Sequence, residues 1–413
     1  MNKERLKIFV SAYACEPDLG SEIGVGWHWV MEMSKYFDLW VLTRKSNQSN
    51  IEEWLNGNQL PNKINFIYYD MSPRLRFWKK GLRGVRIYYI LWQILTNSIV
   101  KKTMEENHIE IFHLLTYGNA LWPVSRYGQR KYFIWGPTGI GGYISYEFSK
   151  HYGIKCLIIE CIRSFVMKTL TLNVGFRQRC KNAKLILCKT EATRNSIPAK
   201  YRNKAVLFTD VAVELLDVTR YLKDDKVSTA ITKYLTVGRL DAWRGFDLLI
   251  EAFAKVIKKT RNIRLDIVGD GADMVRLQSL IKKNDLENHI ILTGQLNIAE
   301  YYSKMAQCDV VVNPCLKEGA VTTAFDSMSF GKPLICIDTG GYTRYFNNDY
   351  AEVIPRTTRN EVINDLYKAI VKLTDIDVRK VKGEKALNAA RSYAWEEKGK
   401  RIYKTIVNCY NNY

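Results

Sequence analysis

A short segment around residue 318 carries the residue types needed to hold a phosphorylated ligand that bears hydroxyl groups. Glu318 and Gly319 stand in a predicted loop, directly before a helix predicted over 321–330. Free amides and the positive end of the helix dipole favour an anion at such an N-terminus, and a neighbouring carboxylate accepts hydrogen bonds from hydroxyls. The alternative is an ordinary loop between a strand and a helix with a surface glutamate.

Two apolar runs on either side of this segment predict the elements that position it. Residues 308–312 and 334–337 are apolar and predict buried strands, while Gly331 and Pro333 predict the end of the helix between them. Strand, loop, helix and strand form a βαβ unit, which requires a parallel sheet with ligands at the carboxyl ends of its strands. The loop holding Glu318 is therefore a candidate ligand site.

Two arginines flank another strand-to-helix turn in the same half of the chain. A strand predicted over 233–237 runs into Gly238, and Arg239 and Arg244 follow. Guanidinium groups bind phosphate oxygens in pairs and never lose their charge, so these two arginines with a helix N-terminus predict a diphosphate clamp. Such a clamp stabilises the negative charge that grows on a departing nucleoside diphosphate.

The N-terminal half places glycine-rich loops and a histidine after its predicted strands. A loop with Gly20, Gly24 and Gly26 follows the strand 7–12, and a helix is expected from Trp27. Such a loop lets backbone amides approach an anion, although its spacing is not the dinucleotide fingerprint; the alternative is a tight turn without a ligand.

The N-terminal half also contains a second glycine-rich loop and a lone histidine. Residues 136–142 contain four glycines after a strand predicted over 132–135. His113 lies near the end of the strand predicted over 110–115, where the alternative is a core histidine with satisfied hydrogen bonds.

Composition indicates a two-domain protein of a reducing cytosol. The 413 residues suffice for two cores, with 47% hydrophobic and 25% charged residues. The nine cysteines are scattered without a CxxC pair, which predicts neither a disulfide framework nor a zinc site. The N-terminus leads directly into a predicted strand, so no signal peptide is expected.

Positive charge is concentrated in the N-terminal half. Residues 1–205 contain 31 Lys and Arg against 15 Asp and Glu, whereas the remainder contains 31 against 27. No nucleic-acid recognition motif accompanies this charge, so nucleic acid is not an expected partner.

One basic segment of that half also contains many aromatic residues. Residues 87–100 are too short and polar to span a bilayer, and a basic amphipathic segment favours the surface of an anionic membrane. Residues 152–172 share this character; the alternative is helices packed on the sheet with a solvated basic face. Basic residues flank residues 87–100: Arg74, Arg76, Lys79, Lys80, Arg83 and Arg86 precede them, and Lys101 and Lys102 follow them.

The ordered motifs of the C-terminal half resemble those of the family 4 glycosyltransferases. They are Gly238-Arg-Leu, Arg244-Gly-Phe-Asp-Leu-Leu, Ile267-Val-Gly-Asp-Gly, Leu292-Thr-Gly-Gln, Pro314 with Glu318-Gly, Gly331-Lys-Pro and Gly340-Gly. The resemblance implies an α/β chain of the GT-B fold, with two Rossmann-like α/β/α domains facing a central cleft. It implies an acceptor-binding domain over 1–208, a nucleotide-sugar-binding domain over 228–390, and a helix over 391–413 that crosses back to the N-terminal domain.

The resemblance also assigns roles to particular residues. Glu318 takes the position that contacts donor sugar hydroxyls, and Asp326 stands where the family has a second glutamate, on the nucleotide ribose. Arg239 and Arg244 take the diphosphate pair, and His113 matches a histidine near the sugar. The expected catalytic residues are thus Glu318, His113, Arg239 and Arg244. The expected donor-binding residues are Gly24, Gly238, Arg239, Arg244, Gly269, Gln295, Leu296, Glu318, Gly319, Ala320, Val321 and Asp326.

The implied activity is retaining hexosyl transfer from a UDP- or GDP-sugar to a lipid-linked or oligosaccharide acceptor. No aspartates with metal-ligand spacing are present, so neither a metal nor another cofactor is expected. The opening motifs, Tyr13-Ala-Cys-Glu-Pro, Gly24-Val-Gly-Trp and Trp135-Gly-Pro, resemble a subgroup found in bacterial surface-polysaccharide clusters.

That subgroup implies a role in capsule, O-antigen or exopolysaccharide synthesis, in the cytoplasm and peripheral to the inner face of the plasma membrane. Because Asp326 is one methylene shorter than the family's glutamate, an alternative stays open. It is a non-catalytic homologue that acts as a partner in a polysaccharide assembly complex.

Overall fold

A computed structural model describes residues 5–60, 62–79, 84–221, 231–317 and 321–412. The chain divides into two compact units. The first unit comprises Met1–Ile140, Lys168–Asp210 and Trp395–Tyr413, and the second comprises Gly141–Met167 and Val211–Ala394. The sequence predicts one N-terminal domain over 1–208, whereas the structure assigns 141–167 to the second unit. The predicted start of the second domain, residue 228, lies outside the described residues.

The helices of both units are numbered along the chain. They are α1 (Ser21–Ser34), α2 (Gln48–Gly57), α3 (Val85–Leu95), α4 (Asn97–Glu106), α5 (Tyr146–Ser149), α6 (Gly153–Lys168), α7 (Val174–Asn182), α8 (Glu191–Ser196), α9 (Phe246–Ile257), α10 (Met274–Lys283), α11 (Ile298–Gln307), α12 (Thr322–Ser329), α13 (Arg359–Lys372), α14 (Ile376–Ala390) and α15 (Trp395–Asn411).

The first unit is built on a parallel sheet of seven strands. These are β1 (Lys7–Ser11), β2 (Asp38–Arg44), β3 (Ile64–Tyr69), β4 (Ile111–Leu114), β5 (Tyr132–Thr138), β6 (Ala183–Cys188) and β7 (Ala205–Leu207). Their order is β3-β2-β1-β4-β5-β6-β7. The order reverses between β1 and β4, and the loops that follow these two strands flank the point where open parallel sheets bind ligands.

Helix α1 begins at Ser21, six residues before the predicted start, so Gly24 and Gly26 lie in a helix. A Cβ on Gly24 would lie 1.8 Å from the carbonyl oxygen of Leu19, and one on Gly26 would lie 2.0 Å from that of Ala14. The prediction of a glycine loop is therefore wrong here. These two glycines allow the segment before α1 to pack on its backbone.

The last helix, α15, belongs to the first unit. Its apolar stripe is buried at Trp395, Ile402 and Ile406. The imidazole of His28, on α1, stacks on Trp395 with ring centroids 5.0 Å apart. An amphipathic helix of this kind is stabilised mainly by the surface on which its apolar stripe packs.

The second unit is built on a parallel sheet of six strands. These are β8 (Thr232–Val237), β9 (Ile263–Val268), β10 (Ile290–Gly294), β11 (Val310–Asn313), β12 (Leu334–Asp338) and β13 (Ala351–Pro355). Their order is β10-β9-β8-β11-β12-β13, so the reversal lies between β8 and β11. The loop that carries Arg239 and Arg244 follows β8, and the chain leads from β11 to Glu318.

Candidate active site

Glycines bring the loops after β8, β9 and β10 together at the carboxyl edge of the second sheet. The amide of Gly238 donates to Val268 O at 2.9 Å, and that of Gly269 donates to Gly294 O at 2.8 Å. Gly269 has a φ of 136°, and a Cβ there would lie 2.0 Å from Gly238 O. The contact therefore requires glycine at position 269, which is a structural reason for the predicted residue Gly269.

Arg239 and Arg244 both lie on the loop after β8. Arg239 is 59% exposed, and its Nε lies 2.6 Å from Asp241 Oδ2. The guanidinium of Arg244 lies over the indole of Trp243, with its carbon 4.4 Å from the ring centroid. Arg239 thus presents an exposed cation, and Arg244 presents one that an aromatic ring orients.

This loop packs directly against the loop after β11. Gly245 has a φ of 70°, and a Cβ there would lie 2.2 Å from Pro314 O. The amide of Leu316 donates to Trp243 O at 3.1 Å. The arginine loop and the segment leading to Glu318 are therefore held side by side across the switch point of the second sheet.

Glu318, Gly319 and Ala320 lie outside the described residues, and their roles stay predictions. On their far side, α12 begins at Thr322, one residue after the predicted start, with Val321 as its N-cap. Valine has no side-chain oxygen to offer the first-turn amides. This helix start therefore keeps the chemistry expected of an anion site.

Lys317 is a site neighbour that the sequence analysis missed. Its Nζ lies 3.0 Å from Glu160 Oε1, and the two side chains are 10% and 4% exposed. The same Nζ lies 4.7 Å from the ring centroid of Trp243, and burial lowers the Lys317 pKa. Glu160 belongs to α6 and also pairs with Arg163. Because 157 residues separate Glu160 from Lys317, no local pattern could predict this pair.

Asp326 is buried in α12, where it is 4% exposed. The hydroxyl of Tyr301, on α11, donates to its Oδ2 at 2.6 Å. Burial raises the pKa of Asp326 to about 7, although the hydrogen bond from Tyr301 acts in the opposite direction. One carboxylate oxygen of Asp326, the residue expected to bind the ribose, therefore already accepts a hydrogen bond. Its donor is a tyrosine that the sequence analysis did not identify.

Gln295 and Leu296 connect β10 to α11. Gln295 is exposed and Leu296 is half-buried. The next residue, Asn297, caps α11: its side chain accepts from the Glu300 amide at 2.9 Å, and Glu300 Oε2 accepts from the Asn297 amide at 2.9 Å. This reciprocal cap fixes the short segment in which both predicted base-binding residues lie.

His113 belongs to β4 of the first unit and is completely buried. Its Nε2 lies 2.6 Å from Gly136 O, so Nε2 carries a proton and donates it. Nδ1 has no hydrogen-bond partner among the described residues, and burial lowers the pKa to about 4. The ring is therefore neutral at pH 7.

The predicted residues divide between the two units. Most of those described lie on the loops after β8, β9, β10 and β11 of the second sheet or at α12, whereas Gly24 and His113 belong to the first unit. Gly24 has a packing role in α1. The cationic, glycine-rich edge at which the sequence predicts a diphosphate site therefore lies in the second unit.

Comparison with known proteins shows which family the second unit resembles. Residues 223–386 match the family model described as Glycosyl transferases group 1. An uncharacterized glycosyltransferase of Methanocaldococcus jannaschii is 26% identical over 224 residues, which cover 54% of this chain and 59% of that protein.

A Campylobacter jejuni relative carries the name N-acetylgalactosamine-N,N'-diacetylbacillosaminyl-diphospho-undecaprenol 4-alpha-N-acetylgalactosaminyltransferase. It is 28% identical over 161 residues, or 38% of this chain and 42% of that protein. The chain thus spans about 60% of the first relative's length and less than half of the second's.

A solved structure extends the likeness to both units. The Anabaena protein HepE, crystallised in complex with UDP, superimposes with a TM-score of 0.61 at 14% identity, over 98% of this chain and all of the other. The predicted α/β architecture with two parallel sheets is confirmed. The chain has the GT-B fold, and its second unit carries the segment that matches the glycosyl transferase family model.

Proposed function

We propose that this chain is a retaining glycosyltransferase that moves a hexosyl group from a nucleotide sugar to a lipid-linked or glycan acceptor. The observation that carries the proposal is the pair Arg239 and Arg244 at the switch point of the second sheet, inside the segment that matches the family. HepE, a protein of the same fold, has been solved with UDP, which supports a nucleotide-sugar donor.

The donor diphosphate is proposed to lie on the arginine loop and the start of α12. Arg239 supplies an exposed cation, and Arg244 a second one oriented by Trp243. Amides at the start of α12 add the positive end of a helix dipole. Glu318 is proposed to bind hydroxyls of the donor sugar, and Asp326 with Tyr301 to face the ribose.

The proposed reaction is front-face transfer with retention at the anomeric carbon. The bond from that carbon to the diphosphate oxygen breaks as the acceptor oxygen attacks from the same side, and the departing diphosphate takes the acceptor's proton. Arg239 and Arg244 stabilise the charge that grows on the leaving group. Since two cations already serve this purpose, the proposed mechanism is independent of metal.

The name of the Campylobacter jejuni relative, which specifies a diphospho-undecaprenol acceptor, supports a lipid-linked acceptor. The proposed setting is bacterial cell-surface polysaccharide synthesis at the inner face of the plasma membrane. None of the described helices has both the length and the apolar character required to cross a bilayer.

The first unit exposes an apolar surface that supports peripheral membrane docking. In α3, Tyr89 and Trp92 are buried while Ile87 and Ile94 are exposed, and Phe77, before α3, is 79% exposed. Lys80 and Arg83 lie outside the described residues. Apolar side chains with basic neighbours suit the interface of an anionic membrane.

A nucleotide-binding screen followed by a turnover assay tests the function. Melting temperatures are measured with UDP, GDP, ADP, CMP and dTDP, because a ligand that binds only the folded state raises the melting temperature. One nucleotide is expected to stabilise the wild type but not Arg239→Ala. The matching nucleotide sugars are then assayed for release of the nucleotide. Absence of any stabilising nucleotide would contradict the proposal.

One observation favours a second candidate, a non-catalytic homologue in an assembly complex. Asp326 is shorter than the family's glutamate, and one of its carboxylate oxygens accepts a hydrogen bond from Tyr301. This candidate predicts nucleotide binding without turnover of any nucleotide sugar, in the wild type and in Asp326→Glu alike. Release of nucleotide by either protein would exclude it.

A further inference from the structure

We infer that the first unit binds a sugar ring of the acceptor on an aromatic platform formed by Tyr117 and Trp122, with Arg44 at its side. The inference rests on the proposed function and deepens it, because it assigns residues and a ligand class to the acceptor side. The ligand class is a pyranoside ring whose apolar C–H face lies against the aromatic rings.

The platform lies where the topology of the first sheet places ligands. The strand order reverses between β1 and β4. Tyr13 follows β1 by two residues, Tyr117 follows β4 by three, and Arg44 is the last residue of β2. All three therefore belong to the carboxyl edge of neighbouring parallel strands, and two of them flank the switch point.

The aromatic rings form two layers, one buried and one partly exposed. Tyr13 and Tyr89 are buried, whereas Tyr117 and Trp122 are partly exposed. Tyr89 and Tyr117 stack with centroids 5.1 Å apart and an angle of 29°, and Tyr117 and Trp122 stack with centroids 5.8 Å apart and an angle of 26°. Tyr13 meets Tyr117 edge-on at 5.0 Å. Rings supported in this way keep their orientation without a ligand, which is the arrangement of a preformed site.

Polar groups converge beside these rings. The guanidinium of Arg44 lies 5.0 Å from the ring centroid of Tyr13, and its Nε donates to Tyr13 O at 3.3 Å. The hydroxyl of Tyr13 is buried and has no hydrogen-bond partner among the described residues. A buried hydroxyl of this kind requires an explanation, and a ligand hydroxyl is one. A sugar site contains a small number of polar groups placed among aromatic rings.

The backbone that presents the platform is strained. Tyr117 has a φ of 54°, which a residue other than glycine rarely adopts. Its amide donates to the Glu22 carboxylate at 2.7 Å, so a side chain from α1 holds this conformation. Backbone strain of this kind is concentrated at ligand sites, because there the geometry of the site outweighs the local preference of the chain.

Saturation-transfer NMR with simple glycosides tests the inference. The probes are methyl β-D-glucopyranoside and methyl β-D-galactopyranoside, with the acyclic polyol sorbitol as the control that lacks a ring face. Saturation transfer from the wild type to the ring protons of at least one glycoside is expected to exceed the transfer to the protons of sorbitol. Trp122→Ala and Tyr117→Ala are expected to weaken that binding by about fivefold, the scale of an aromatic stacking contact.

Two matched variants control for loss of an aromatic ring elsewhere in the same unit. Tyr127 directly precedes the segment leading into β5. Trp54 lies near the end of α2, the helix that leads to the start of β3. Both residues therefore belong to the amino edge of the sheet. Tyr127→Ala and Trp54→Ala are expected to bind the glycosides like the wild type. Trp122→Phe and Tyr117→Phe keep a ring, and they are expected to retain binding even where an alanine variant fails to fold.

The nucleotide screen separates this inference from the proposed function. A wild type that is stabilised by a nucleotide but saturates no glycoside above sorbitol would overturn the platform and leave the function standing. Unchanged glycoside binding in a folded Trp122→Ala would also overturn it. Glycoside binding that is lost in the platform variants supports it, even if no nucleotide binds.

Discussion

The hydroxyl of Tyr301 donates to Asp326 Oδ2 at 2.6 Å, inside the second unit. Asp326 is otherwise buried, and its pKa is raised from 3.8 to about 7. A carboxyl group at the expected ribose position therefore keeps its proton to a higher pH than an exposed aspartate does. Stability is therefore expected to depend on pH through this residue.

Asp326→Asn is expected to make stability less dependent on pH. The folded state holds the Asp326 proton more tightly than the unfolded chain does, so wild-type stability declines as pH rises from about 4 to about 7, by at most about 1.4 kcal/mol per pH unit. Asparagine cannot ionise, so the variant lacks this decline. Urea denaturation at pH 5 and pH 8 measures it. Equal pH dependence in the two proteins would show that Asp326 is not protonated in the fold.

The effect of His113 on the pH dependence of stability is expected to be opposite in sign to that of Asp326. The pKa of His113 is lowered from 6.5 to about 4, so the unfolded chain binds a proton that the folded state excludes, and stability is lost as pH falls from about 6.5 to about 4. His113→Gln removes that titration. The loss of melting temperature between pH 7 and pH 5 is therefore expected to be smaller in the variant. A larger loss in the variant would contradict a neutral His113.

Arg239→Ala is expected to weaken nucleotide binding about 10- to 100-fold, since a hydrogen bond to a charged group contributes about 1.5–3 kcal/mol. Arg264→Ala is the matched control, because Arg264 on β9 pairs with Asp266 at 3.0 Å much as Arg239 pairs with Asp241. Calorimetric titration with the nucleotide found in the screen measures both. Similar losses in the two variants would point to general charge rather than a diphosphate site.

Glu160→Gln is expected to cost about 3–5 kcal/mol of stability, because it leaves the buried ammonium of Lys317 without its counter-charge. The double variant Glu160→Gln with Lys317→Met removes both charges and is expected to recover most of that loss, and Lys317→Met alone completes the cycle. Urea denaturation of the two single variants and the double variant measures the coupling. Additive effects would show that the pair contributes nothing as a pair.

Phe77→Ser is expected to reduce binding to anionic vesicles by about tenfold or more, because inserting an exposed phenylalanine into the interface contributes about 1.5–3 kcal/mol. Flotation with phosphatidylglycerol-containing vesicles measures this, with phosphatidylcholine vesicles as the neutral comparison. Val275→Ser, at an exposed apolar position of α10, is the control variant. If the anionic vesicles float and the wild-type protein stays at the bottom of the gradient, membrane docking is refuted.

The sequence by itself predicted a parallel sheet in each half of the chain and the strand ends at which the candidate site residues lie. Buried strands of a parallel sheet are short apolar runs, and glycine or arginine after such a run marks its carboxyl end; Arg239 and Arg244 after β8 were located in this way. The strand β13 was missed because its burial is partial and it pairs only with β12, at the edge of the sheet. Helix α11, with few buried residues, was missed for a similar reason.

Tertiary structure alone decided which distant residues meet. The helix α6 has the basic and apolar composition of a membrane segment, yet Glu160 in it pairs with Lys317 of the second unit. Gly24 has the sequence of a loop glycine, yet it lies in a helix, where the Leu19 carbonyl packs against it and leaves no room for a side chain. Burial and charge pairing depend on neighbours across the fold, and local sequence patterns carry no information about those neighbours. The raised pKa of Asp326 and the stacked rings around Tyr117 therefore emerge only once the chain is folded.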